Sequence, residues 1–170
     1  MSGLLDGRCL CGRLTYRCDG EPLVTVVCHC KDCQRQTGSA FSIFVVVPRA
    51  TLHVEGDTLA TYVTVGADSG EERQRQFCSK CGSPVVTLLA EQPELAVIKA
   101  GTLNDPSWLS PTLEVWCGSA YRGLRRSRTA GGSPAACQPD WTASIKHCAI
   151  RVLGPSVPHL LSRGGAGRPA

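Results

Sequence analysis

The sequence predicts a mainly β protein of small antiparallel sheets, followed by a mostly irregular C-terminal tail. Short β-branched and aromatic runs recur through the first 120 residues, and turn-forming Gly, Pro, Asp and Asn separate them. No segment of this part shows a sustained apolar period of 3.6 residues, so no long helix is expected there. Cysteine pairs that recur at close spacing indicate that metal ions hold the sheets together.

Nine segments of the first part have the composition of strands. The clearest is residues 41–47 (FSIFVVV). Pro48 follows them and marks the predicted end of the strand, because proline has no backbone N–H to donate to a sheet. Residues 31–36, between cysteines, could form a single helical turn. In chain order the predicted strands are residues 13–17, 23–27, 41–47, 51–55, 59–65, 73–77, 85–89, 95–100 and 113–116.

The composition changes near residue 120, which predicts two regions. Residues 1–120 contain nine of the 11 cysteines and carry a formal charge of −3, whereas residues 121–170 carry +7. The second region contains 7 Gly and 5 Pro, and only residues 145–153 look capable of a short strand or helix. We therefore predict a zinc-binding β domain over 1–120 and a Gly/Pro/Arg-rich, disordered tail over 121–170.

The N-terminus and the apolar runs suggest a cytoplasmic protein. The first residues show no basic segment followed by an apolar one, so no secretory signal is expected. The longest apolar runs, residues 43–47 and 95–98, are too short to span a bilayer. In a reducing compartment, clustered cysteines bind metal more often than they form disulfides.

Two cysteine pairs form the first predicted metal site. Two thiolates on one tight turn can enter the same coordination sphere, and two such turns supply a closed, structural site. The glycine after each pair, Gly12 or Gly82, is expected to have a positive φ. An all-sulfur tetrahedral site favours zinc, with iron as the commonest substitute. The four ligands are Cys9, Cys11, Cys78 and Cys81.

A cysteine triplet forms the second predicted site. Cys28, Cys30 and Cys33 supply three thiolates and leave a fourth position open, which is the pattern of a catalytic zinc. The alternative is a second structural zinc whose fourth ligand is His29, Cys18 or Cys117. Three thiolates make zinc a weak Lewis acid, so the open position suits a thiol, held there as the reactive thiolate.

Five motifs of the chain together are highly specific in order, spacing and flanking residues: residues 7–16, 28–38, 75–82, 101–106 and 111–116. By these motifs the chain resembles the glutathione-dependent formaldehyde-activating enzyme family, also called the centromere-protein-V type. The resemblance implies a β-tent fold clasped by the four-cysteine zinc. It also implies a second zinc at the triplet, where glutathione binds. Glu114 stands where many members have histidine.

The function implied is that of a carbon–sulfur lyase, similar to S-hydroxymethylglutathione synthase. The expected cofactors are two zinc ions per chain, and the expected substrates are glutathione and an aldehyde. A non-catalytic zinc-binding protein that carries glutathione is the alternative. A chromatin or nucleic-acid-binding module is a second alternative, disfavoured because the first region is acidic and aromatic residues are only 5%.

The resemblance ends after Ala120, where family members usually continue with a Pro-Trp-Val segment. Residues 121–125 (YRGLR) can be encoded as TAC CGT GGG TTG AGA, and the frame that starts at the third base reads Pro-Trp-Val-Glu. This coincidence suggests that a frameshift replaced the native C-terminus with residues 121–170. Sequencing the underlying DNA tests this hypothesis.

Overall fold

The computed structural model describes residues 5–67 and 69–123 and the backbone of residues 137–138. This part contains eleven strands, the helix α1 (Lys31–Thr37) and three 3-10 turns, Arg49–Thr51, Ala100–Thr102 and Cys117–Ser119. The strands are β1 Leu5–Arg8, β2 Thr15–Cys18, β3 Val24–Cys28, β4 Ser42–Pro48, β5 Leu52–Glu55, β6 Leu59–Val65, β7 Glu72–Cys78, β8 Pro84–Leu89, β9 Gln92–Lys99, β10 Leu113–Val115 and β11 Cys137–Gln138.

The strands form two sheets, which confirms the predicted mainly β class. The small sheet has the order β1-β2-β5, and the large sheet has the order β11-β10-β3-β4-β9-β8-β7-β6. Neighbouring strands are antiparallel except at β10, which runs parallel to both β3 and β11. The parallel pairs join segments far apart in sequence, so no hairpin signal could predict them.

The large sheet has a different apolar layer on each face. Val45 and Ile98 belong to the first layer, which also contains Tyr16 of the small sheet. Phe44 and Val97, their sequence neighbours, belong to the second layer. Because successive side chains of a strand point to opposite faces, the two layers cover opposite faces of the sheet.

The observed elements agree with the predicted ones over most of the described chain. Each of the nine predicted strands overlaps an observed strand, and the helical turn is confirmed as α1. Sequence reasoning missed β1, whose residues (LDGR) include no β-branched or aromatic side chain and which is stabilised by pairing with β2.

The tail, which we expected to be mostly irregular, contains the two-residue strand β11. Glu114 and Val115 of β10 pair with Cys137 and Gln138. Residues 145–153 lie outside the described part, and the boundary at residue 120 and the frameshift stay predictions. Within the described residues, no helix combines the length and the apolar character needed to cross a membrane.

Candidate functional site

The first cysteine cluster brings together two distant turns. The Sγ atoms of Cys9, Cys11, Cys78 and Cys81 all lie within 4.8 Å of one another. Cys9 and Cys11 are 3.5 Å apart, and Cys11 and Cys78 are 3.7 Å apart. Four thiolates at about 2.3 Å from a metal in a tetrahedron lie about 3.8 Å from each other. The cluster therefore has the dimensions of a closed four-sulfur metal site.

Each of the two turns is closed by a glycine with a positive φ. The N–H of Gly12 donates to the carbonyl of Cys9 at 3.0 Å, and that of Gly82 donates to the carbonyl of Cys78 at 2.8 Å. Both glycines have a φ of 76°, as the sequence predicts. Left-handed backbone favours glycine, because a side chain there crowds the following carbonyl oxygen.

Neighbouring hydroxyls favour the thiolate form in the first cluster. The Ser83 hydroxyl, 3.3 Å from Cys81 Sγ, and backbone N–H groups lower the pKa of Cys81 to about 5. The hydroxyl of Thr58, 3.3 Å from Cys78 Sγ, lowers the pKa of that thiol. Thiolate is the form that binds a metal, so these hydrogen bonds support a metal site.

The second cluster lies where β3 meets α1. Cys28 ends β3, Cys30 is the N-cap of α1, and Cys33 lies in its first turn. The N–H of Cys33 donates to Cys30 Sγ at 3.3 Å, so the cap itself holds the sulfur in place. The three sulfurs lie within 4.8 Å of one another. The arrangement can therefore hold a metal ion by three ligands.

One negative charge is already favoured in the second cluster without a metal. Hydrogen bonds from the thiols of Cys28 and Cys30, together with the cations Lys99 and Arg75, lower the pKa of Cys33 to about 3. Hydrogen bonds with the neighbouring sulfurs, and then burial, raise the pKa of Cys28. The hydrogen bond with Cys28 lowers the pKa of Cys30, but Cys33 and burial outweigh it and raise that pKa. The surroundings therefore favour one negative charge shared by the three sulfurs.

None of the alternative fourth ligands joins the triplet. His29 Nε2 instead lies 2.8 Å from Glu114 Oε1. Cys18 lies in the small sheet, 3.2 Å from the Thr51 hydroxyl, and Cys117 is disulfide-bonded. Among the residues that the structure describes, the second cluster has no fourth His, Cys, Asp or Glu ligand.

A cavity opens beside the triplet, on the face of the large sheet that carries the second apolar layer. Strand register places three residues side by side in its wall, because Arg75 of β7 pairs with Thr87 of β8, and Thr87 pairs with Val97 of β9. Lys99 is two residues further along β9, so its side chain is on the same face. Thr87 Oγ1 is buried and has no hydrogen-bond partner among the described residues.

Sequence reasoning missed the residues in this wall. Lys99 lies in a predicted strand of mostly apolar residues, and a lysine in such a segment is the one feature of the sequence that could have indicated a functional residue there. Trp116 also lines the cavity and has a φ of 58°. Because this left-handed residue cannot continue a strand, β10 ends at Val115, one residue before the predicted end.

The family described as "Glutathione-dependent formaldehyde-activating enzyme" matches residues 4–119. A crystal structure of a Rhodobacter sphaeroides protein is similar at 20% sequence identity with a TM-score of 0.47, covering 62% of this chain and 91% of that one. No curated protein matches the chain significantly.

Proposed function

Since the chain belongs to the glutathione-dependent formaldehyde-activating enzyme family, we propose that it is a zinc-dependent carbon–sulfur lyase of the S-hydroxymethylglutathione synthase type. The observation that carries this proposal is the convergence of three thiols beside a cavity, without a fourth protein ligand among the described residues. In the reaction, the sulfur of glutathione bonds to the carbon of formaldehyde, and the thiol proton ends on the former carbonyl oxygen. The reverse reaction breaks the carbon–sulfur bond.

The two cysteine clusters would hold two zinc ions with different roles. Four thiolates would close the coordination sphere of a structural zinc at Cys9, Cys11, Cys78 and Cys81. A zinc ion at Cys28, Cys30 and Cys33 would hold the thiol of glutathione as a thiolate, which is the reactive form. All seven thiols are free in the structure, as metal binding requires, whereas Cys117 forms a disulfide.

The residues of the chain contribute position and charge to this chemistry. The helix cap holds Cys30 Sγ near Cys33, which fixes two of the three ligands relative to α1. Arg75 and Lys99 favour negative charge at Cys33. Phe44 and Trp116 supply apolar surface to the cavity wall, which limits the water around a reacting thiolate.

Magnetisation-exchange spectroscopy on a mixture of glutathione and formaldehyde tests the proposal. The metal-loaded protein should increase the exchange rate between free glutathione and S-hydroxymethylglutathione. The same protein treated with a strong chelator is the control. If the fully loaded protein binds glutathione but gives no acceleration, the carrier function replaces the enzymatic one. A carrier would suffice in that case, because thiols add to formaldehyde without an enzyme.

A further inference from the structure

The cavity contains a buried cation without a carboxylate partner. Lys99 is only 5% exposed, and its Nζ donates to the Ser42 hydroxyl at 3.3 Å. Within the described part of the chain, no carboxylate forms an ion pair with it. An ammonium group in such a position is costly unless a negative charge lies nearby.

The other two cations of the cavity, Arg73 and Arg75, each have a carboxylate partner. Arg75 lies 3.5 Å from a carboxylate oxygen of Asp32, and Arg73 forms an ion pair with Glu91. Their charges are therefore largely balanced by acidic side chains. Lys99 instead lines the same cavity as the three thiols, and it donates to Ser42, the cross-strand neighbour of Cys28. Burial lowers the pKa of Lys99, and negative charge on the thiols, foremost Cys33, opposes that shift.

The charge of the loaded site explains this pairing. Three thiolates and one divalent ion leave a net charge of −1, and Lys99 brings the sum to zero. A thiolate in the fourth position then restores −1, whereas without Lys99 the same thiolate would create −2. A neutral ligand in that position adds no charge, so its affinity should depend little on Lys99.

We propose that Lys99 is the counter-ion of the Cys28, Cys30 and Cys33 site and that it makes this site selective for an entering thiolate over a neutral ligand. The inference rests on the proposed function, since it concerns the same open position. Lys99 is a positioning residue, because it acts through the charge of the site and takes no part in bond formation.

The test compares the full-length protein with Lys99→Met, after loading with cobalt so that ligand binding can be followed by absorption. The probes are glutathione, 2-mercaptoethanol and imidazole, titrated at one pH. We expect Lys99→Met to bind both thiols at least about tenfold more weakly and to bind imidazole as the unmodified protein does. Lys99→Arg, which keeps the charge, should restore most of the thiol affinity.

Lys80→Met is the matched control, since it removes an exposed lysine beside the other cluster. It should leave all three affinities unchanged. Equal loss for thiols and imidazole in Lys99→Met would mean a distorted site and would overturn the inference. Loss for glutathione alone would also overturn it, by indicating a contact with a carboxylate of glutathione. Unchanged thiol affinity in Lys99→Met would also overturn the inference.

A second neutral variant covers the case in which Lys99→Met loses its metal. Lys99→Gln keeps a side chain that can reach Ser42. If both neutral variants lose the metal and Lys99→Arg retains it, the counter-ion role is supported; equal loss in all three variants overturns it.

The proposed function and the inference about Lys99 can be overturned by different results. A protein that binds 2-mercaptoethanol but accelerates no reaction would overturn the function, while the Lys99 comparison would still decide the inference. A protein that binds no thiol would overturn both.

Discussion

Glu114 Oε1 lies 2.8 Å from Nε2 of His29, the residue between two of the three cysteines of the second cluster. The His29 ring is buried, and its Nδ1 has no partner among the described residues. The backbone N–H of His29 donates to the carbonyl of Val115 at 3.1 Å. The contact therefore ties the loop that carries the cysteines to β10.

Glu114→Ala should destabilise the protein by about 1–3 kcal/mol, because it leaves the buried Nε2 of His29 without a partner. Glu114→Gln retains a hydrogen-bonding group and should lose less. Urea unfolding measures both, and Glu94→Ala, at an exposed position, is the control. Equal stability of Glu114→Ala and the control would contradict this role of the contact.

Since we propose two zinc ions per chain, Cys30→Ser should reduce the metal content to one ion and leave most of the fold in place. The three-sulfur site would lose one of its three protein ligands, whereas Cys9 and Cys78 of the four-sulfur site belong to the first apolar layer, on the other face of the large sheet. Elemental analysis measures the metal, and circular dichroism measures the fold. Cys18→Ser is the control, since Cys18 belongs to neither cluster. Retention of both ions by Cys30→Ser would show that this thiol is not a ligand.

Cys81→Ser should have a much larger effect on stability than Cys30→Ser. The four-sulfur site joins two turns 67 residues apart, and binding energy at such a site is folding energy. We expect the variant to lose the metal that we propose for this cluster and its cooperative thermal unfolding transition. A Cys81→Ser protein that unfolds like the unmodified protein would show that the first cluster does not stabilise the fold through metal.

Gly82→Ala should destabilise the protein by about 1–2 kcal/mol, although nothing lies within 4 Å of the added carbon. The cost comes from the φ of 76°, which L-residues rarely adopt. Gly101→Ala is the matched control, because it too meets open space and has no positive φ. Denaturant unfolding of the two variants checks the difference, and equal midpoints would refute the backbone argument.

Local features of this protein could be predicted because their causes are local. Two thiols on one turn require only a few residues of correct spacing, and glycine at residues 12 and 82 follows from the backbone of that turn. The strand at residues 41–47 follows from β-branched and aromatic composition. The short strand β1 could not be predicted in this way, because its stability comes from pairing with β2 and not from its own residues.

What only the tertiary structure decided is which residues meet across the sheets. The sequence by itself determined the mainly β class, the two groups of cysteines and the resemblance to the family. It did not reveal that the groups lie on opposite faces of one sheet, or that Lys99 of β9 faces the cavity beside Cys33. These relationships depend on strand register between distant segments, and a shift by one residue would move every side chain to the other face. Local composition carries no information on that register, so it appears only when the whole chain is folded.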